Sequence, residues 1–142
     1  MSRIVLKPTL QPELFVYSFP VRVYFENTDA GGVVYHGEYL KFLERARTEW
    51  LRHLGFDHQA LARNHRVTLV VTSLAIDFGK AARLDDNVAV SVRLESLGKV
   101  RCVFAQEIRR DDEVLVKAKV TVACVACESF KPTEIPEGLR KK

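Results

Sequence analysis

Long apolar runs are missing from this chain. Nothing in its 142 residues approaches the roughly 18 consecutive apolar residues that a membrane-spanning helix needs. The opening Met1-Ser2-Arg3-Ile4-Val5-Leu6-Lys7 lacks the apolar stretch of a secretory signal. A cytoplasmic location is therefore expected. Cysteine is scarce and odd in number, with three in all, which suits a reducing compartment rather than a disulfide scaffold. Cys124 and Cys127 have the C-x-x-C spacing, yet the residues around them read as strand and no further zinc ligands accompany them. They are expected to be reduced thiols. Pure basic clusters are confined to Arg140-Lys141-Lys142, and no basic stripe interleaved with aromatics is present. That argues against a nucleic-acid partner. Walker loops, Rossmann glycine fingerprints and zinc-ligand sets are also missing, so no metal or redox cofactor is expected. No internal repeat or low-complexity tract stands out.

What remains is ordinary globular composition, with 47% apolar and 28% charged residues. The length fits one domain, able to bury roughly 70% of its unfolded surface. The net charge of +4 and pI of about 9.1 are mildly basic. They fit an anionic ligand such as a phosphorylated cofactor, or an acidic partner protein.

Residues 1–14 hold two prolines and no period, and read as an arm. Residues 15–25 alternate as a strand, with Phe19, Val21, Val23 and Phe25 on one face. Pro20 places that strand late or at an edge. Tyr39, Leu43, Ala46, Trp50 and Leu54 then recur at helical spacing, which predicts a helix of roughly 16 to 20 residues buried along one broad face. Gly55 supplies its stop, and Asp57 to Ala62 reads as a short second helix. From Arg66 the period becomes two. Residues 67–78, 87–97, 100–108 and 113–127 read as strands, and Gly98-Lys99 and Asp111-Asp112 mark hairpin turns. The stretch from residue 129, with Pro132 and Pro136, reads as a tail running over the surface. Short turns between long strands mean antiparallel pairing. One apolar-faced helix needs one sheet face to cover it. The fold class is α+β, a curved five-stranded antiparallel sheet wrapped around a single long helix. Such a sheet has free edges, for which self-association is the expected remedy.

The densest chemistry lies in Thr28-Asp29-Ala30-Gly31-Gly32-Val33-Val34-Tyr35-His36. A carboxylate, two glycines and a histidine stand directly before the long helix. Paired glycines let a ligand approach the backbone closely, and a helix start offers unpaired N–H groups and partial positive charge. That combination suits chemistry on a carbonyl, with the N–H groups polarising the oxygen and the carboxylate attacking the carbon or activating water. Asp in such a loop also serves as a helix cap or in an Asx-turn, and spacing leaves both roles open.

This segment, followed by Tyr39-Leu40 and by Phe42-Leu43-Glu44-Arg45-Ala46-Arg47-Thr48-Glu49-Trp50-Leu51, resembles the signature of the hotdog-fold acyl-CoA thioesterases. Within them it is most similar to the YbgC-type enzymes associated with the Tol-Pal system, relatives of 4-hydroxybenzoyl-CoA thioesterase. Ala82-Arg83-Leu84-Asp85-Asp86 continues the resemblance, which runs from about Phe19 to Cys127. It implies an acyl-CoA thioesterase with a hotdog fold, assembled as a homodimer or homotetramer. CoA then enters as part of the substrate, acyl carrier protein is the alternative carrier, and association with the Tol-Pal system is a further implied partnership.

The resemblance puts the catalytic carboxylate at Asp29, as nucleophile or as general base for water. It aims the backbone N–H of His36 at the thioester oxygen, with Gly32 and Val33 near the same turn. The His36 imidazole is a candidate to hydrogen-bond the carbonyl or orient water, and Tyr35 is a pocket wall. Tyr39, Phe42 and Leu43 are candidates to line the acyl pocket. Thr72 and Ser73 are candidates to reach the site across a dimer interface. Arg83, with Arg66, Lys80, Lys99 and Arg101, is a candidate for the CoA phosphates. Glu44 and the Glu-Arg-Ala-Arg run are read as a helix and subunit-contact device. The rival readings are a hotdog hydratase or dehydratase, and a non-enzymatic scaffold that binds acyl carrier protein. The sequence departs from the family pattern at Asn27, where an acid is common. It departs again at Gly37-Glu38, which replaces Ala-Asn or Ala-Ser, and at Asp77-Phe78-Gly79-Lys80.

Overall fold

The computed structural model describes residues 16–140. The expected arm at 1–14 lies outside the described residues. Thirteen residues of loop and 3-10 turn, 23–35, separate the first strand from the long helix, and four long strands follow. In chain order the elements are β1 (Tyr17–Arg22), a 3-10 turn (Phe25–Asn27), α1 (His36–His53), α2 (His58–Ala60), a π-turn (Leu61–His65), β2 (Val67–Phe78), β3 (Asn87–Leu97), β4 (Arg101–Arg110), β5 (Glu113–Ala126) and α3 (Glu137–Arg140). The five strands form one sheet in the order β1-β3-β4-β5-β2, antiparallel throughout. Register shifts at 71–73, 94–96 and 108–109 mark bulges, which bend and twist the sheet.

The concave face of that sheet holds α1. Tyr39, Phe42, Leu43, Ala46 and Leu51 are its buried residues, and the first four share a core with Val90, Phe104, Ile108 and Val120. Trp50 meets Phe104 edge-on at 5.2 Å, a favoured aromatic geometry. The helix ends where the glycine predicts. Gly55 takes φ +95°. Its N–H bonds Arg52 C=O, and the Phe56 N–H bonds Leu51 C=O at 3.0 Å, the paired bonds of a Schellman stop. Asp57 then caps α2 by accepting from the Ala60 N–H at 2.7 Å.

Two expectations need correction. The first strand ends at Arg22 rather than reaching Phe25. Val23 is still buried, but the chain folds into the 3-10 turn and leaves Phe25 79% exposed. The C-terminal stretch does not merely run over the surface. Thr133 N–H bonds Cys124 C=O, Ile135 N–H bonds Lys99 C=O at 2.7 Å, and Ile135 is buried with Leu51, Leu61, Val67 and Cys124 in a second apolar cluster.

Candidate active site

The Asp29 segment is a tight hairpin that feeds straight into α1. Thr28 and Val34 pair as an antiparallel bridge. Asp29 N–H bonds Val33 C=O at 2.9 Å, and Gly32 N–H bonds Asp29 C=O at 3.0 Å. The second bond closes a four-residue turn. Gly32 sits at φ +83°, where a side chain would strain the backbone. Gly31 contributes differently. Its N–H donates to Asp29 Oδ1 at 2.8 Å, and an added Cβ would stand 3.3 Å from that oxygen. The Asx-turn reading and the catalytic reading are therefore compatible. One carboxylate oxygen is held by Gly31, and a carboxylate has further lone pairs to offer. The side chain is exposed.

The exit limb of the hairpin is fastened to the loop between β2 and β3. Val34 N–H bonds Ala82 C=O at 2.9 Å, and Val33 pairs with Arg83. Ala82 N–H in turn donates to the buried Tyr39 hydroxyl at 3.0 Å. Arg110 holds that loop from behind, donating to Asp86 at 2.7 Å, to Ala81 C=O at 3.3 Å and to Glu113 at 2.9 Å. Lys80 reaches Glu113 at 2.7 Å. Its bond and that of Arg110 pull the Glu113 carboxyl below the usual range.

The helix begins at His36 with Tyr35 as N-cap. As the first two helical residues, His36 and Gly37 have N–H groups with no acceptor inside the helix. They are one hairpin limb away from Asp29. The His36 ring lies 4.4 Å from the Tyr35 ring and 6.2 Å from Phe78, which meets it edge-on. Tyr35 is half-exposed and lies over Gly37, where an added Cβ would come within 2.9 Å of its ring.

The entry limb is secured by Asn27, which is buried. Its Oδ1 accepts from Tyr24 N–H at 2.7 Å, and its Nδ2 donates to Glu38 Oε1 at 2.8 Å. Its C=O accepts from Tyr35 N–H at 2.9 Å. The Asn27 hydrogen bond and the Lys41 ammonium at 3.0 Å hold the Glu38 carboxyl below its ordinary value.

The structure thus gathers Asp29, Gly32, Val33, Tyr35, His36 and Arg83 in one place. The candidates for the acyl pocket are placed differently. Tyr39 and Phe42 are core residues, stacked edge-on against each other. Leu43 is also buried, yet it borders a cleft between α1 and β2 with Leu40, Glu44, Arg47, Val71 and Leu74. Thr72 and Ser73 lie mid-strand on β2, roughly 17–20 Å along the strand from Phe78 at about 3.3 Å per residue. Of the Glu-Arg-Ala-Arg run, Ala46 is core and Arg47 turns inward to Gln106 at 2.9 Å. Arg66 and Lys80 have acidic neighbours, Glu128 and Glu113. Sequence reasoning did not find Arg110 or Gln106. It noted Asn27 only as a departure from the family. Gln106 did leave a signal, a polar residue at an inward position between Phe104 and Ile108.

Residues 23–142 match the family described as the thioesterase-like superfamily. The chain is 47% identical over 124 residues to the acyl-CoA thioesterase YbgC of Haemophilus influenzae, spanning 87% of this chain and 91% of that protein. It is 42% identical over 125 residues to the acyl-CoA thioester hydrolase YbgC of Escherichia coli O6:H1, spanning 87% and 92%. A probable thioesterase from Bartonella henselae superposes with a TM-score of 0.83 at 36% identity, covering 86% of this chain and all of that one.

Proposed function

The chain belongs to the thioesterase-like superfamily and has its hotdog fold, and from that premise we propose that it hydrolyses acyl-CoA thioesters to the free acid and CoA. One observation carries the reading: a carboxylate stands on a glycine turn whose exit limb runs directly into the N-terminus of an 18-residue helix. In the proposed reaction the thioester oxygen faces the N–H groups at His36 and Gly37. These groups stabilise the negative charge that develops on the oxygen as the carbonyl carbon is attacked. Asp29 acts in one of two ways. As nucleophile, its oxygen bonds the carbonyl carbon, the C–S bond breaks, CoA leaves as the thiolate, and water opens the resulting anhydride. As general base, it takes a proton from the water that attacks the same carbon. Gly31 fixes the carboxylate in either case. The His36 imidazole, set between Tyr35 and Phe78, lies on the surface near the same reacting centre. Arg83 is exposed and paired through its backbone to Val33, which supports it as the partner of a CoA phosphate.

The exposed apolar side of β2, next to the cleft with Glu44 and Arg47, supports a homodimer in which a partner covers this edge. Three free thiols accord with action in the cytoplasm.

Thiol release from a panel of acyl-CoAs tests the reading. The parent is expected to hydrolyse at least one member, and Asp29→Asn, shown to be folded, is expected to lose at least about a hundredfold in kcat. Failure on every acyl-CoA, followed by activity on acylated carrier protein, would change the carrier. An active Asn variant would remove Asp29 from the chemistry. Mass spectrometry after one turnover in ¹⁸O-water tests the nucleophilic role, because label in Asp29 requires an anhydride that water opens at the Asp29 carboxyl carbon.

A further inference from the structure

We infer that Asn27 and Glu38 form a positioning pair, an amide–carboxylate clamp that sets the Asp29 hairpin against the start of α1. The inference rests on the proposed assignment of that hairpin and helix start as the reacting centre.

The contacts of Asn27 bracket the hairpin. Tyr24 lies before it, and Tyr35 and Glu38 lie after it. Asn27 and Gln106 are the polar residues among the buried described ones. A buried amide that is not hydrogen-bonded is costly, so the position of Asn27 is coupled to all three partners. Each partner reports a different part of the loop. Tyr24 N–H fixes the turn that reverses the chain after β1. Tyr35 N–H fixes the residue before the helix. Glu38 belongs to the first turn of α1, so its bond ties the loop to the helix itself rather than to neighbouring loop backbone.

Chemistry dictates the pairing. Asn27 Nδ2 can only donate, and the Glu38 carboxylate can only accept. Two acids at these positions would oppose each other at hydrogen-bond distance. The other Glu38 oxygen meets Lys41 at 3.0 Å. The charge that Glu38 brings to the helix start is thus balanced from the solvent side. Neither residue need touch substrate. Their effect is on the distance and angle between Asp29 and the N–H groups at His36 and Gly37, and reacting geometry is sensitive to such shifts.

The test uses the full chain and the acyl-CoA that the parent hydrolyses fastest. Glu38→Ala and Asn27→Ala are each expected to lower kcat about tenfold to a hundredfold, with KM changed by less than about twofold. The double variant should lose little more than either single one, because both remove the same clamp. Asn27→Asp is expected to be equally damaging. Adding Glu38→Gln to it should recover most of kcat, since donor and acceptor have exchanged sides. If the alanine variants fold poorly, the comparison of Glu38→Gln with Asn27→Asp decides, because the Gln amide oxygen still accepts and its loss should be the smaller, and an equal loss would overturn the inference. An unchanged kcat in Glu38→Ala would overturn the inference. So would an exchanged pair no better than Asn27→Asp, or a loss confined to KM. Amide exchange over residues 28–36 gives a second readout. It should quicken in Asn27→Asp and slow again in the exchanged pair. This holds even if the parent hydrolyses no acyl thioester, so failure of the proposed activity and failure of the clamp remain distinguishable.

Discussion

Gln106 occupies an inward position on β4, where the alternation of Phe104 and Ile108 asks for an apolar side chain. Its amide resolves the conflict by using every group. Nε2 donates to Leu43 C=O and to Ser91 C=O at 3.2 Å each, and Oε1 accepts from Arg47 at 2.9 Å. Burial weakens the protonated form of Arg47, and the nearby Glu44 charge opposes that effect. Removing one partner from such a pair is worse than removing both, because it leaves the other polar group partly desolvated and unsatisfied. Gln106→Leu is therefore expected to cost about 1–3 kcal/mol by urea unfolding. Combining it with Arg47→Met should return much of that loss. Glu38 gives a second expectation. Its carboxyl is held below the ordinary value by Asn27 first and then by Lys41, with Arg45 adding charge at longer range. A depressed carboxyl contributes stability that is fully present above its unfolded pKa near 4.5 and is lost as pH falls through its folded value. The melting temperature of the parent should exceed that of Glu38→Gln at pH 7, and the gap should close as melts are taken below pH 4.5. A gap that does not narrow at all as the pH falls would mean the charge is not what stabilises. Cys102 behaves differently. Burial pushes its thiol up to about 11, which disfavours the reactive thiolate at neutral pH.

The helix and the four later strands were legible because each carries its own period over at least ten residues. Local chemistry served equally well at Gly55 and Asp57, where the stop and the cap involve residues within five positions. The Asp29 hairpin could be located for the same reason, since its carboxylate, glycines and helix start are contiguous. Its supports could not. Ala82 and Arg110 reach the hairpin or its bracing loop from distant parts of the chain, and no spacing rule connects them. The β1 boundary failed for another reason. Phe25 continues the alternation of Val21 and Val23, but alternation does not distinguish a paired strand from extended chain, and the Val23 N–H goes to Asp86 instead of a strand partner. The C-terminal stretch has two separated apolar contacts, Ile135 and Leu139, in a proline-containing segment, so it has no period to read. Its docking is nonetheless specific. Ile135 fills a site among Leu51, Leu61, Val67 and Cys124. Ile135→Ala should cost about 2–4 kcal/mol, the range for emptying such a site, measured by thermal or denaturant unfolding. A loss below about half a kcal/mol, the scale of a surface substitution, would mean that the tail adds little to the core.

The sheet as a whole has two unlike edges. β1 is short and carries Pro20 at its fourth position, which blunts it as a pairing surface. β2 runs for 12 residues along the other edge, bonded to β5 on one side only. Val71 is 51% exposed and Phe78 49%, and Leu74 lies between them, also exposed. A long apolar edge of this kind invites a further strand, and proteins that keep one usually cover it. A second copy is a suitable cover, because β2 antiparallel to its own symmetry mate continues the sheet through a self-complementary contact. Such pairing, the dimer proposed above, would put the partner beside the cleft bordered by Leu40, Glu44, Arg47 and Leu74, and beside Phe78 against His36. Substrate binding and assembly would then be linked. Leu74→Lys places a charge in that contact without touching the Asp29 hairpin. It is expected to shift the protein from dimer to monomer in light scattering and to raise KM more than it lowers kcat, since the acyl group loses a wall while the reacting groups stay in place. Restored activity at high protein concentration would follow from mass action. A parent that is monomeric at micromolar concentration and fully active would instead mean that one chain completes the site, and that the exposed face of β2 serves some other contact.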